Sequence, residues 1–157
     1  MQSVNEFLNE NYESIFNSGE CTKDQVRFMI ECLVEMSKSD EREFKSRIRL
    51  LFMHMLKYQT QCNKQSRSWV QTILLQSNEL ADFVDDRSLV NKILPTLDDQ
   101  FQSAVDMAVA ETGLYRSDFI SVRPAAWTLE NITNSVFIDD FLKSFAETEE
   151  VRKVLGL

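Results

Sequence analysis

Glycine and proline are scarce in this chain, with three of the first and two of the second in 157 residues. Average usage is about 7% and 5%. Sheets and loop-rich folds need turn formers, so this shortage excludes them and leaves helices. Histidine occurs once, as His54, and the three cysteines, Cys21, Cys32 and Cys62, stand at unrelated spacings. That set lacks the close pairing of a zinc site, and no Glu-x-x-His places two ligands on one helix face. The glycines are isolated, so no Gly-rich loop can cradle a phosphate. No metal, no cofactor and no catalytic residue is expected from these residues. Long apolar runs are missing too. The densest, Leu50–Leu56, is interrupted by His54 and flanked by Arg49 and Lys57, well short of the roughly 18 residues of a membrane span. The start, Met1-Gln2-Ser3-Val4-Asn5-Glu6, has neither a basic head nor an apolar stretch, so no signal peptide is read there. An odd number of cysteines then reads as free thiols in a reducing compartment, and the expected location is cytoplasmic.

What is present is a core's worth of apolar residues, 43% of 157. One domain spanning residues 1–157 is the expectation at this length, and such a chain buries roughly 70% of its extended surface without staples. Net charge is -8, which argues against general affinity for nucleic acid or anionic membranes. The charge is unevenly spread. Between Arg42 and Arg67 seven bases face one acid, while the rest of the chain has ten bases and 24 acids. An acidic body holding one basic segment reads first as internal complementarity, acidic helices facing a basic one.

Helical periodicity runs through most of the chain. Ser3 can cap a helix carrying Val4, Phe7, Leu8, Tyr12, Ile15 and Phe16, stopped by Asn17-Ser18-Gly19. Thr22-Lys23-Asp24-Gln25 has the form of a capping box and opens a second helix with Val26, Met29, Ile30, Leu33 and Val34 on one side. Ser37 and Ser39 can end it and cap a third, but no Gly or Pro enforces the break, so the second and third helices can also be continuous. The third, over Asp40–Gln61, carries the firmest pattern: Phe44, Ile48, Leu51, Phe52 and Met55 advance by three or four residues. Its later half is apolar nearly all round and should be enclosed on several sides. Gln61–Gln65 reads as a connector. A fourth helix starts at Ser66 or Ser68 and ends at Asp85-Asp86, and a fifth starts at Ser88, with a kink or restart at Pro95. Thr112-Gly113 ends that one, and residues 114–127 look irregular. Thr128 can cap a short helix, with weaker helical tails over Ile138–Phe145 and Val151–Leu155. The expected fold is all-α, a bundle of about five main helices wrapped by short C-terminal ones.

Three stretches carry a likeness. Ile30-Glu31 through Met36, then Arg47-Ile48-Arg49-Leu50-Leu51-Phe52-Met53-His54-Met55-Leu56-Lys57-Tyr58-Gln59, then Arg67-Ser68-Trp69, follow one another in a set order. Ala110-Glu111-Thr112-Gly113-Leu114 and Trp127-Thr128-Leu129-Glu130 come after them. Together they resemble the signature of the bacterial family catalogued as domain of unknown function twenty-nine, over about residues 5 to 140. The resemblance implies an all-helical fold and no established activity. The chain departs from the pattern at Ser37, where a Gly is usual, at Cys32, where an acid is usual, and in a connector without its Pro.

Within that resemblance Arg47, His54, Lys57, Arg67 and Trp69 match the family's polar and aromatic motif residues. Helical geometry puts Arg47, His54 and Tyr58 on one flank of the apolar stripe. A pocket built on Arg47, His54, Lys57 and Arg67 would bind an anion, with Arg as a bidentate fork and His as a titratable donor. The plainer alternative has His54 and Arg47 bonding carboxylates or carbonyls between helices. Lys38, Arg42, Lys45 and Arg49 form a basic stripe on another side of the same helix, a small footprint for phosphates with no recognition motif beside it. The six methionines and eleven phenylalanines suit adaptable surfaces as well as cores. The reading that best fits is a small acidic helical interaction or regulatory module that binds a protein partner or itself. Its alternatives are an anion- or small-molecule-binding domain, conceivably an enzyme, and a nucleic-acid-associated protein using the basic stripe.

Overall fold

A computed structural model describes residues 23–157, and every described element is helical. The helix expected over residues 3–16 lies outside the described residues. Helix α1 runs from Lys23 to Thr60 without interruption. The second and third helices are therefore one. Ser37 and Ser39 carry no Gly-like backbone freedom, and a serine in mid-helix weakens the ladder only slightly, so the apolar stripe on either side carries the helix through.

The chain divides into two compact units, residues 1–43 and residues 44–157. In the first, the described part is the opening half of α1. Val26, Phe28, Ile30 and Val34 are exposed there, while Met29, Leu33 and Met36 are half-buried. The second unit holds the core. From Phe44 the stripe of α1 is buried: Phe44, Ile48, Leu51, Phe52, Met55 and Leu56 are fully enclosed, and Met53 nearly so. The enclosure expected for Leu50–Leu56 is present.

After a 3-10 turn at Cys62–Lys64, α2 spans Arg67–Ala81 with Ser66 as its N-cap residue. It stops four residues before Asp85-Asp86, and Phe83 and Val84 sit half-buried in the turn that follows. Helix α3, Arg87–Ile93, is capped by Asp86 rather than Ser88, the Asp carboxylate accepting from Leu89 N–H at 3.1 Å. Pro95 restarts the chain as expected: a 3-10 turn over Leu94–Thr96 separates α3 from α4, Leu97–Thr112. Gly113 closes α4 in the left-handed region at φ 71°, where a Cβ would be strained. Short helices α5 (Leu129–Ile132), α6 (Ser135–Phe145) and α7 (Glu149–Val154) complete the unit. Their N-caps are side-chain oxygens of Thr128, Asn134 and Thr148, which satisfy orphan N–H groups of the first turn. Helix α2 packs against α6 and α7, and α5 against α6.

The irregular stretch 114–127 is tied down by buried Phe119, by Arg116 on Asp106, by Arg123 on Asp98 and, at its end, by one large ring. Trp127 is 4% exposed. It stacks on Phe52 of α1 at 5.6 Å and meets Phe101 of α4 and Phe141 of α6 edge-on at 6.0 and 5.8 Å. Such geometry adds about 0.5–1.5 kcal/mol per pair beyond buried area. Three helices and a loop thus share one aromatic centre. Gln65 does similar work with polar atoms. Its amide nitrogen donates to the carbonyls of Tyr58 (2.8 Å) and Phe145 (2.6 Å), and its oxygen accepts from Glu147 N–H (2.9 Å). The connector therefore ties the end of α1 to the α6–α7 junction.

Candidate functional site

Within residues 44–157, α1 delivers His54 and Lys57 from adjacent turns, α2 delivers Trp69 from its first turn, and α4 delivers Glu111 from its last. The Lys57 ammonium lies 3.0 Å from the Glu111 carboxylate and 4.6 Å from the centre of the Trp69 ring. The lysine side chain is 8% exposed, whereas Glu111 is half exposed. A desolvated cation must be paired, and here a carboxylate and an aromatic face share that task. His54, half-buried beside them, has its pKa lowered, first by burial, then by the Lys57 charge, with Glu111 acting weakly the other way. Its imidazole is neutral at pH 7, and its Nδ1 is buried without a hydrogen-bond partner.

The chemistry of this group is self-contained. Lys57 spends its charge on Glu111 and Trp69, so the cluster offers an incoming anion little uncompensated positive charge. The His54 imidazole keeps one enclosed ring nitrogen unpaired.

The structure brings together His54, Lys57 and Trp69 of the five motif residues, engages Arg47 on α2 and leaves Arg67 exposed. Arg47 donates to Gln76 at 3.3 Å and reaches Glu79 at 3.8 Å, both on α2. Arg67 is exposed at the first position of α2. Tyr58, expected on the flank with Arg47 and His54, is fully buried and donates to the Leu142 carbonyl at 2.7 Å. Burial pushes its hydroxyl pKa up to about 12, with Cys62 contributing in the same direction.

The basic stripe is also broken up. Arg49 turns toward α4 and donates to Gln100 at 2.9 Å, and Lys45 is half-buried and engaged. In the unit that ends at residue 43, Lys38 bridges Glu35 at 3.5 Å and Arg42 is exposed. Three of the four cations thus have partners within the chain.

Sequence reasoning missed Glu111 as the partner of Lys57 and Gln100 as the partner of Arg49, at separations of 54 and 51 residues. Glu111 stood inside a motif and so carried a signal of importance without a role; Gln100 carried none. The closing motifs prove architectural. Thr112 donates to the Ala108 carbonyl, Gly113 turns the chain, Trp127 fills the core and Thr128 caps α5. Among the described residues Cys32 and Cys62 are free, no cluster of His, Cys, Asp or Glu is placed to hold a metal, and no helix is long and apolar enough to cross a membrane.

Compared with known families, residues 3–138 match the model described as Domain of unknown function DUF29. No curated protein and no solved structure matches the chain.

Proposed function

The chain belongs to the DUF29 family, whose description assigns no activity, and from its own surface we propose that it is a helical interaction module that acts by binding another protein or a second copy of itself. The observation that carries this is the exposed apolar ridge on the first half of α1. Val26, Ile30 and Val34 recur every four residues and are 38, 55 and 45% exposed. At about 100° per residue they fall within one 80° sector. Phe28, 66% exposed, points to nearly the opposite side of the helix and is not part of this row. Isolated exposed apolar residues are ordinary, but a contiguous row on one helix face is the form used to dock partners.

Lys23 and Lys38 lie on either side of the ridge, within reach of a lysine-specific cross-linker. The full chain should give cross-links from these two lysines to a partner protein or to a second copy, and Ile30→Asp should abolish them while leaving the helical circular dichroism unchanged. Cross-links that persist in the variant, or a wild-type chain that forms none at either lysine, would overturn the reading.

A second reading rests on the open Nδ1 of His54. A buried polar atom left unpaired costs about 1–3 kcal/mol, which a small neutral hydrogen-bonding molecule would recover. Movement of the His54 ring resonances on adding imidazole-sized amides or alcohols would support it; unchanged resonances would remove it.

A further inference from the structure

A second surface, separate from the ridge on α1 and independent of it, lies wholly within residues 44–157. A groove of about 420 Å³ opens between the turn after α2, helix α3 and helix α5. Val84, Val90, Leu94 and Leu129 supply apolar walls, and Glu130 supplies the only charge in the lining. Leu94 is 46% exposed at its mouth. The two hydroxyls in the lining are turned inward. Thr128 accepts from Asn131 N–H as the cap of α5, and Thr133 donates to the carbonyls of Leu129 and Glu130. The groove therefore presents methyl groups and one carboxylate. That chemistry suits an apolar side chain better than a polar small molecule.

The surroundings carry a sign. Residues 82–99 and 128–133, the segments that carry the lining, contain six acids (Asp82, Asp85, Asp86, Asp98, Asp99 and Glu130) and two bases, Arg87 and Lys92; Asp98 is paired with Arg123 at 2.8 Å, which leaves five acids against two bases. Asp82, Asp85, Asp99 and Glu130 are all exposed, so their field reaches solvent. An apolar slot under a negative field selects a segment that pairs a buried apolar anchor with flanking cations. A second copy of this chain, itself at -8, would approach against that field.

We propose that this groove is a docking site for a basic amphipathic helical segment of a partner protein, one that inserts an aliphatic or aromatic side chain between Val84, Leu94 and Leu129 with a Lys or Arg beside Glu130. The apolar anchor provides most of the hold, and the acidic rim provides orientation and a salt-dependent association rate.

The test uses the full chain with methyl-labelled Val and Leu and an 18-residue amphipathic peptide of leucine and lysine. Titration should shift the methyls of Val84, Val90, Leu94 and Leu129. The dissociation constant should weaken at least fivefold from 50 to 300 mM salt. Leu94→Ser and Glu130→Gln, both at exposed positions, should each weaken binding about three- to tenfold. A control peptide with serine in place of leucine should lose binding, which separates groove docking from mere charge attraction. Shifts confined to other methyls would overturn the proposal, as would equal affinity in both variants or equal binding of the serine peptide. So would concentration-dependent shifts of the groove methyls without peptide, which would assign the groove to a second copy. None of these outcomes bears on the Ile30→Asp result, so the two readings fail separately.

Discussion

Gln65 offers the sharpest test of how the second unit is held. It is 4% exposed, and its side-chain amide closes three bonds, to the Tyr58 and Phe145 carbonyls and the Glu147 N–H. Gln65→Leu keeps the volume and removes all three. The Tyr58 contact is fully buried and the other two partly so. An orphaned buried group costs about 1–3 kcal/mol. Water reaches the partly buried pair and lowers their share, so the net loss should be about 2–4 kcal/mol. For a chain of this size 1 kcal/mol moves Tm by about 2–4 °C, so a drop on the order of 5–15 °C is expected in a thermal melt. Gln65→Glu is the discriminating companion. It replaces the donor with a carboxylate facing two carbonyl oxygens, so its loss at pH 7 should exceed that of Gln65→Leu and shrink on acidification, as the carboxyl gains a proton to donate. Losses below about 0.5 kcal/mol in both variants, or a Gln65→Glu defect that ignores pH, would refute the reasoning.

Other consequences follow from single contacts. Glu111→Gln should destabilise by about 1–2 kcal/mol in denaturant melts, discounted from the 3–5 typical of a broken buried pair because Glu111 is half exposed; adding Lys57→Met should return most of it, since the uncompensated cation is gone. The lowered pKa of His54 means the unfolded chain binds a proton that the folded chain resists. Stability should therefore fall as pH drops below about 6.5, the unfolded value, and His54→Phe should flatten that slope between pH 6.5 and 5. Tyr58, with its pKa raised to about 12, stabilises the fold fully below its unfolded value of about 10. That contribution should be lost as pH rises from 10 through 12, coincident with tyrosinate absorbance at 295 nm, and Tyr58→Phe should remove it. Trp127→Ala should cost about 3–5 kcal/mol and expose the 114–127 segment to limited proteolysis.

Local rules explain most of what the sequence made legible. The spacing of Phe44, Ile48, Leu51, Phe52 and Met55 foretold the buried face of α1, and Thr128 and Gly113 marked boundaries through chemistry confined to one turn. Ser37 and Ser39 left the break open because a cap residue is also tolerated inside a helix, and the choice depends on the whole 38-residue element. Asp86 displaced Ser88 as a cap because either oxygen could reach an N–H, and backbone direction decides between them. Trp127 was hidden because periodicity does not apply in an irregular segment. The site residues were legible as types and not as partners. Arg47, Lys57 and Arg49 each pair with an acid or amide at least 29 residues away, and no helical spacing encodes such a meeting. The grouping of Arg47, His54, Lys57 and Arg67 assumed one destination for neighbours on a helix face. Side chains on one helix can instead meet different helices, as Arg47 meets α2 and Lys57, ten residues on, reaches α4.

The division of labour between these features is testable in one comparison. The polar motif should serve the fold, and the exposed ridge of α1 should serve binding. Cross-linking of the full chain should therefore be measured side by side in Ile30→Asp and in the paired variant Lys57→Met with Glu111→Gln, both checked for helical circular dichroism. The paired variant should keep the cross-links at Lys23 and Lys38, and Ile30→Asp should lose them. A folded paired variant that loses them while Ile30→Asp retains them would contradict the account and return the function to the Lys57 cluster.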